Sequence, residues 1–248
     1  RFLAEVRSSP GTDVAPPQLH DAETDAIVGR DALLEQLDGW LDGALRGKSA
    51  TVFIHGEPGI GKTALMQTFA RRCGKRTTWV QGQCVDQYGQ GEPYLPLLEA
   101  IGQLARLGGE TCVATLHRYA PTWLAQLPWL VNEADRARLA RETQGVTRER
   151  MLRELAEFLR AWTQAQPLLL AIEDLHWSDH ATLDALTYLT RRKDGVRLMI
   201  LGSYRPVDVL VSEHPFKQVR NELMLQGLCR DLALELLSAT DVADYLQR

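Results

Sequence analysis

Apolar positions along this chain alternate between two periods. Leu33, Leu34, Leu37, Trp40 and Leu41 recur at intervals of three and four, the stripe of an amphipathic helix, with Asp31 expected as its N-cap. Residues 51–55 (TVFIH) then form a short β-branched and apolar run that closes on a glycine-rich loop. Helical spacing resumes at Leu65, Met66, Phe69 and Ala70, so the order is strand, loop, helix. Residues 77–81 read as a second strand, and QYGQGEPYLP (87–96) breaks the period. Leu97, Leu98, Ile101 and Leu104 then open a section that is largely helical to about residue 145. Met151, Leu152, Leu155, Phe158, Leu159 and Trp162 predict a long amphipathic helix that stops before Pro167.

Residues 168–172 are continuously apolar, as a central parallel strand covered on both faces must be, and they end in Glu173-Asp174. Residues 196–202 repeat that pattern and run into Ser203-Tyr204-Arg205-Pro206. Strands alternating with helices predict an α/β fold with a doubly wound, mainly parallel sheet. Near the end, residues 232–237 are apolar, and Ser238-Ala-Thr-Asp241 has the form of a helix capping box. Residues 7–25, rich in Pro, Ser, Gly and acids, read as an extended linker.

Composition narrows the class. With 45% apolar and 24% charged residues the chain resembles ordinary globular proteins, and no apolar run approaches the roughly 18 residues of a membrane span, so no membrane partner is expected. A formal net charge of -4 argues against nucleic-acid binding through a broad basic face. The N-terminal RFLAEVRSSPG lacks a secretory apolar stretch, which makes the cytoplasm the expected compartment. Cys73, Cys84, Cys112 and Cys229 show no metal-binding spacing and read as ordinary thiols.

Candidate chemistry starts at Gly56-Glu57-Pro58-Gly59-Ile60-Gly61-Lys62-Thr63, which fits G-x-x-x-x-G-K-[ST] completely and lies between a predicted strand and a predicted helix. Such a P-loop wraps phosphates with backbone N–H groups, and glycine permits the positive φ angles this requires. The cofactor-binding set is therefore Glu57, Pro58, Gly59, Ile60, Gly61, Lys62, Thr63 and the next helical residue, Ala64. Lys62 is expected to reach the β- and γ-phosphates, and the Thr63 hydroxyl to bind Mg²⁺. Glu173 and Asp174 at a strand's carboxyl end suit Mg²⁺ and an attacking water. Arg205 stands where a cation could meet the γ-phosphate. His176 and His180 flank the acidic pair, and either could sense phosphate; Trp177 and Tyr204 read as packing or as walls beside the nucleotide.

Taken in order, IVGRDALLEQL, GEPGIGKT, GEPYLPLLEAI, LLLAIEDLHWSD, LMILGSYRPVDV and LALELLSATDVADYL resemble the AAA-like ATPase domain of bacterial STAND signalling proteins, relatives of origin-recognition ATPases. The resemblance spans residues 26–248. It implies a core over residues 26–230 and the start of a helical lid over residues 231–248, with residues 1–25 holding the end of an upstream domain and the linker. It places Val28, Gly29 and Arg30 near adenine and ribose, makes Glu173 and Asp174 the Walker B pair, and makes Arg205 a sensor. The Glu-Asp order leaves open which acid serves the metal, with Glu173 favoured. RFLAEV is similar to the last strand of a winged-helix DNA-binding domain, so DNA is expected as a partner only through an upstream domain. With a short lid, closure is expected to be incomplete and turnover slow or nil.

The resulting expectation is an ATP- or ADP- and Mg²⁺-binding regulatory switch, able to self-associate through this domain. Its alternatives are a phosphotransferase, or a module that retains nucleotide without turnover. A GTPase is disfavoured because no N-K-x-D motif occurs.

Overall fold

The computed structural model describes residues 27–86, 92–192 and 195–247. The linker at 7–25, the RFLAEV strand and the first half of the 87–96 break therefore lie outside the described residues. Five strands, β1 (Ala50–His55), β2 (Thr78–Gln83), β3 (Leu168–Glu173), β4 (Leu198–Tyr204) and β5 (Arg230–Ala233), form one sheet in the order β2-β3-β4-β1-β5. Every pairing is parallel. Strands β1, β3 and β4 are buried along nearly their whole length, whereas β2 and β5 at the edges are only partly so.

Side-chain alternation divides those central strands between two cores. Val52, Ile54, Leu169, Ala171, Met199 and Leu201 face one layer, where α1 (Asp31–Leu45) contributes Leu34, Leu37 and Leu41, and α2 (Lys62–Cys73) contributes Leu65, Met66 and Phe69. Phe53, Leu168, Leu170, Ile172, Leu198 and Ile200 face the other. That second layer holds α3 (Leu95–Tyr119), α4 (Pro121–Ala125), α5 (Glu133–Glu142), α6 (Arg148–Ala165) and α7 (His180–Arg191). The chain closes with α8 (Pro206–Val211), α9 (Phe216–Leu225), the edge strand β5 and α10 (Ala239–Gln247). The doubly wound α/β fold expected from the sequence is thus the fold observed.

Helix termini follow local chemistry, with one correction. Thr147, Asn132 and Asp179 cap α6, α5 and α7 by accepting an N–H of the first turn. Ser238 and Asp241 form the expected reciprocal box, with Asp241 N–H on Ser238 Oγ at 3.1 Å and Ser238 N–H on Asp241 Oδ2 at 2.9 Å. Asp31, expected as an N-cap, is instead the first helical residue of α1, and Arg30 is the cap without a side-chain bond. The turn before α1 is pinned by tertiary contact: Arg30 donates to the carbonyl of Glu235 at 2.6 Å. Asp31 still favours the helix through the positive end of its dipole.

Candidate nucleotide site

The carboxyl ends of β1, β3 and β4 lie side by side, with His55 opposite Tyr204 and Ile172 opposite Gly202. Open α/β sheets place ligands at this end. Residues 56–61 leave β1 there and turn into α2, with Gly59 at φ 76° and Gly61 at φ 100°, a left-handed conformation that L side chains adopt only with strain. The first helical bond runs from Leu65 N–H to Gly61 O at 2.9 Å, and first-turn amides such as those of Lys62, Thr63 and Ala64 have no partner within the helix. Those amides and the dipole of the 12-residue helix make an anion cradle.

Lys62 is buried, and its ammonium donates to the carbonyls of Gly56 and Glu57, both at 2.9 Å. Burial, then the neighbouring Arg205 cation, lowers its pKa; Asp174, Glu57 and Asp208 oppose that shift. An ammonium folded back on the loop's own carbonyls is a donor that phosphate oxygens can take over, so the loop fits a nucleotide polyphosphate.

Thr63 Oγ1 donates to Glu173 Oε2, joining the start of α2 to the end of β3. Burial raises the Glu173 pKa, the Thr63 hydrogen bond opposes it, and the neighbouring Asp174 charge adds to the rise. A half-buried carboxylate linked to an exposed threonine hydroxyl is a donor set that suits a hard divalent cation. Asp174 adopts a left-handed conformation at φ 56°, rare for a residue with a side chain. Ser203 Oγ holds it there by accepting its N–H at 3.0 Å, and Gln83 Nε2 approaches Asp174 Oδ2 at 3.4 Å.

Arg205 follows β4 directly. Its guanidinium lies over the Trp177 ring at 5.2 Å, with Nη1 3.6 Å from Asp208 Oδ2. Among the described residues its buried Nε has no hydrogen-bond partner. His176 is buried beside this group, and burial lowers its pKa ahead of the opposing pull of Asp174 and Asp208. His180 is exposed at the start of α7.

Lys62, Thr63, Glu173, Asp174 and Arg205 are therefore neighbours. The turn of Val28, Gly29 and Arg30 reaches the same end indirectly: Arg30 holds Glu235, and the preceding Leu234 N–H donates to His55 O at 2.7 Å beside the loop's first glycine. Gly29, at φ 68°, abuts Asp241 of α10, and a Cβ there would collide with that carboxylate. A cleft of about 850 Å³ opens beside the acidic strand end and is lined in part by Gln83, His176, Trp177, His180, Asp208 and His214.

Sequence reasoning missed Gln83, Ser203 and Asp208, because one amide, one hydroxyl and one exposed acid carry no motif. It also missed Asp231, whose carboxylate on β5 meets His55 at 3.1 Å and Arg220 Nε at 3.1 Å. The four cysteines are buried thiols. Among the described residues no helix is long and apolar enough to cross a membrane.

Comparison with known proteins bears on the family and the fold. An uncharacterized protein of Rhizobium meliloti is 27% identical over 191 residues, which is 73% of this chain and 18% of that protein. This chain thus spans under a fifth of that curated relative. Among solved structures, the Cdc6p protein of Pyrobaculum aerophilum is similar at a TM-score of 0.51 and 15% identity, covering 96% of this chain and 51% of that one. A Walker-type ATPase of Pyrococcus abyssi is similar at 0.52 and 13% identity, covering 91% and 58%. At such identities the likeness establishes the fold alone. The family described as AAA ATPase domain matches residues 26–201, and with that match, a complete phosphate loop and the acidic strand end beside it, this chain belongs to the AAA ATPase domain family.

Proposed function

We propose that this chain is an ATP-dependent regulatory switch that binds ATP·Mg²⁺ and hydrolyses it slowly. Membership of the AAA ATPase domain family implies nucleotide binding. The observation that carries the rest is the joining of the phosphate loop to the acidic strand end through the Thr63–Glu173 hydrogen bond, with Asp174 and Arg205 alongside.

In this reading the loop amides and Lys62 hold the β- and γ-phosphates. Thr63 and Glu173 would hold Mg²⁺, because they already share a proton donor and acceptor. The metal, when bound, neutralises phosphate charge. Asp174 serves as the base: water oxygen bonds to the γ-phosphorus, the bond from that phosphorus to the bridging oxygen of ADP breaks, and the water proton passes to the Asp174 carboxylate. Arg205 leaves Asp208 to meet charge on the γ-phosphoryl oxygens. Val28, Gly29 and Arg30 flank the base and ribose, and Arg30 links that region to the segment leading into α10. Nucleotide state thereby biases the docking of a helix that begins a lid, which is the switch.

The same reading gives a cytoplasmic signalling or transcription protein that self-associates through this domain and meets DNA only through an upstream domain. Phosphate release and ATP binding by wild type and Asp174→Asn test it. Release should fall by about 100-fold or more in the variant while affinity stays within a few-fold. Equal release from both, or acceleration by an added small-molecule acceptor, would overturn the assignment in favour of another base or of a phosphotransferase.

A further inference from the structure

His176 departs from the rule that buried polar groups find partners. The residue is 3% exposed, and among the described residues neither ring nitrogen has a hydrogen-bond partner. Its Nε2 lies 3.4 Å from Asp208 Oδ2 and 3.9 Å from Asp174 Oδ1, close to both carboxylates without the alignment or reach a hydrogen bond needs. Asp208 also faces Arg205, whose Nε is similarly unpartnered, and the His176 ring leans on Trp177 at 4.6 Å between centroids. One imidazole thus stands between the acid at the end of β3 and the acid that holds the arginine after β4. The remaining supports of Asp174 act elsewhere: Ser203 holds its backbone, and Gln83 approaches Oδ2, leaving Oδ1 on the His176 side. A partly satisfied buried network of this kind has room for a second arrangement in which its bonds are made.

We propose that His176 is a positioning residue for the hydrolytic step, donating from Nε2–H to Asp174 Oδ1 in the nucleotide-bound site and so fixing the direction in which that carboxylate faces water. The imidazole is not itself the base and does not touch the phosphates. Release of Asp208 by Arg205 and capture of Asp174 by His176 then accompany one another, which ties the arginine's position to the readiness of the acid. This inference rests on the assignment of Asp174 made above.

The test uses His176→Phe, which keeps a ring without a donor, and His176→Gln, whose amide nitrogen lies near the Nε2 position; His176→Leu replaces the first variant if Phe does not fold. Three quantities are measured: melting temperature without nucleotide, ATP·Mg²⁺ affinity, and phosphate release in a single turnover. The Phe variant should melt at or above the wild-type temperature and bind ATP within about threefold, yet release phosphate about 10- to 100-fold more slowly, while Gln recovers most of the rate. An unchanged rate in the Phe variant overturns the proposal. So does a melting point several degrees lower with no recovery by Gln, since that describes a purely structural side chain. Nitrogen-15 spectra of labelled histidine give a reading independent of turnover. A non-hydrolysable ATP analogue with Mg²⁺ should convert His176 Nε2–H to a slowly exchanging, hydrogen-bonded signal in wild type but not in Asp174→Ala, which lacks the acceptor oxygen. If wild type releases no phosphate above the level of Lys62→Ala, the hydrolytic reading fails, and this spectrum still decides the His176–Asp174 contact: no change on binding refutes it.

Discussion

Replacing Asp231 by Asn should both destabilise the fold and loosen the nucleotide site, although no motif marks this residue. Its carboxylate on β5 gathers three other elements: His55 Nε2 from the end of β1 at 3.1 Å, Arg220 from α9 through Nε at 3.1 Å and through Nη2, and the Tyr204 hydroxyl from the end of β4, which donates at 3.3 Å. His55 immediately precedes the phosphate loop and Tyr204 immediately precedes Arg205, so one edge carboxylate braces both sides of the site. Removing one member of a buried ion pair costs about 3–5 kcal/mol. The Arg220 and His55 side chains are 26% and 25% exposed, so water can partly take the lost partner's place and about 2–3 kcal/mol is expected. For a chain of this size that corresponds to a fall of about 4–12 °C in melting temperature.

Burial pushes the Asp231 carboxyl up, but hydrogen bonds from His55 and Arg220 outweigh it and hold the pKa below its ordinary 3.8. A depressed acid stabilises the fold above its unfolded-state pKa and loses that contribution as pH falls through the lower folded value. The gap between wild type and Asp231→Asn should therefore be full at neutral pH and close only below about 3.8. Circular-dichroism melts across pH, with ATP affinity measured in parallel, check this. The paired replacement Arg220→Met with Asp231→Leu should recover only the part of the stability lost by leaving the Arg220 cation unpaired, because His55 and the buried Tyr204 hydroxyl still lose their acceptor. A melting shift under about 1 °C at pH 7, or strict additivity of the Arg220 and Asp231 single changes, would refute the reasoning.

Glu154 is a second buried acid, 8% exposed, accepting Thr122 N–H at 2.8 Å, Thr122 Oγ1 at 3.0 Å and Arg150 Nε at 2.8 Å. Glu154→Leu strands the amide at the start of α4, and urea unfolding should show a loss of about 2–4 kcal/mol; a change under about 0.5 kcal/mol would mean that the network carries no stability. Gly29→Ala combines a left-handed backbone at φ 68° with a Cβ driven into the Asp241 carboxylate. Hydrogen exchange should then accelerate in α10 while the central strands keep their protection, and unchanged α10 exchange would count against its docking on this turn.

What the sequence made legible was local. The phosphate loop needs its glycines, lysine and threonine within eight positions, so its chemistry can be read directly from the spacing. Strands β1, β3 and β4 were legible because burial on both faces writes an unbroken apolar run. Strand β5 was not recognised: it is four residues long, lies at an edge, and buries only Leu232. Strand order cannot be read from periodicity, since neighbours β4 and β1 are separated by most of the chain. Asp31 shows how tertiary contact overrides a local signal, because the Arg30–Glu235 bond fixes the turn that a side-chain cap would otherwise set. His55, Tyr204, Arg220 and Asp231 meet from four elements, and nothing in their spacing announces it. Buried His176 was noticed for its place beside the acids, but its missing partners are a property of packing alone.

Lys62 is the residue on which nucleotide binding at the phosphate loop turns. Titration calorimetry of ATP·Mg²⁺ into wild type and Lys62→Ala, with folding of the variant verified by circular dichroism, measures what that ammonium contributes once it leaves the carbonyls of Gly56 and Glu57 for phosphate. Loss of a charge-assisted contact predicts binding about 10- to 100-fold weaker in the variant. Equal affinity in the two proteins would contradict the site as assigned.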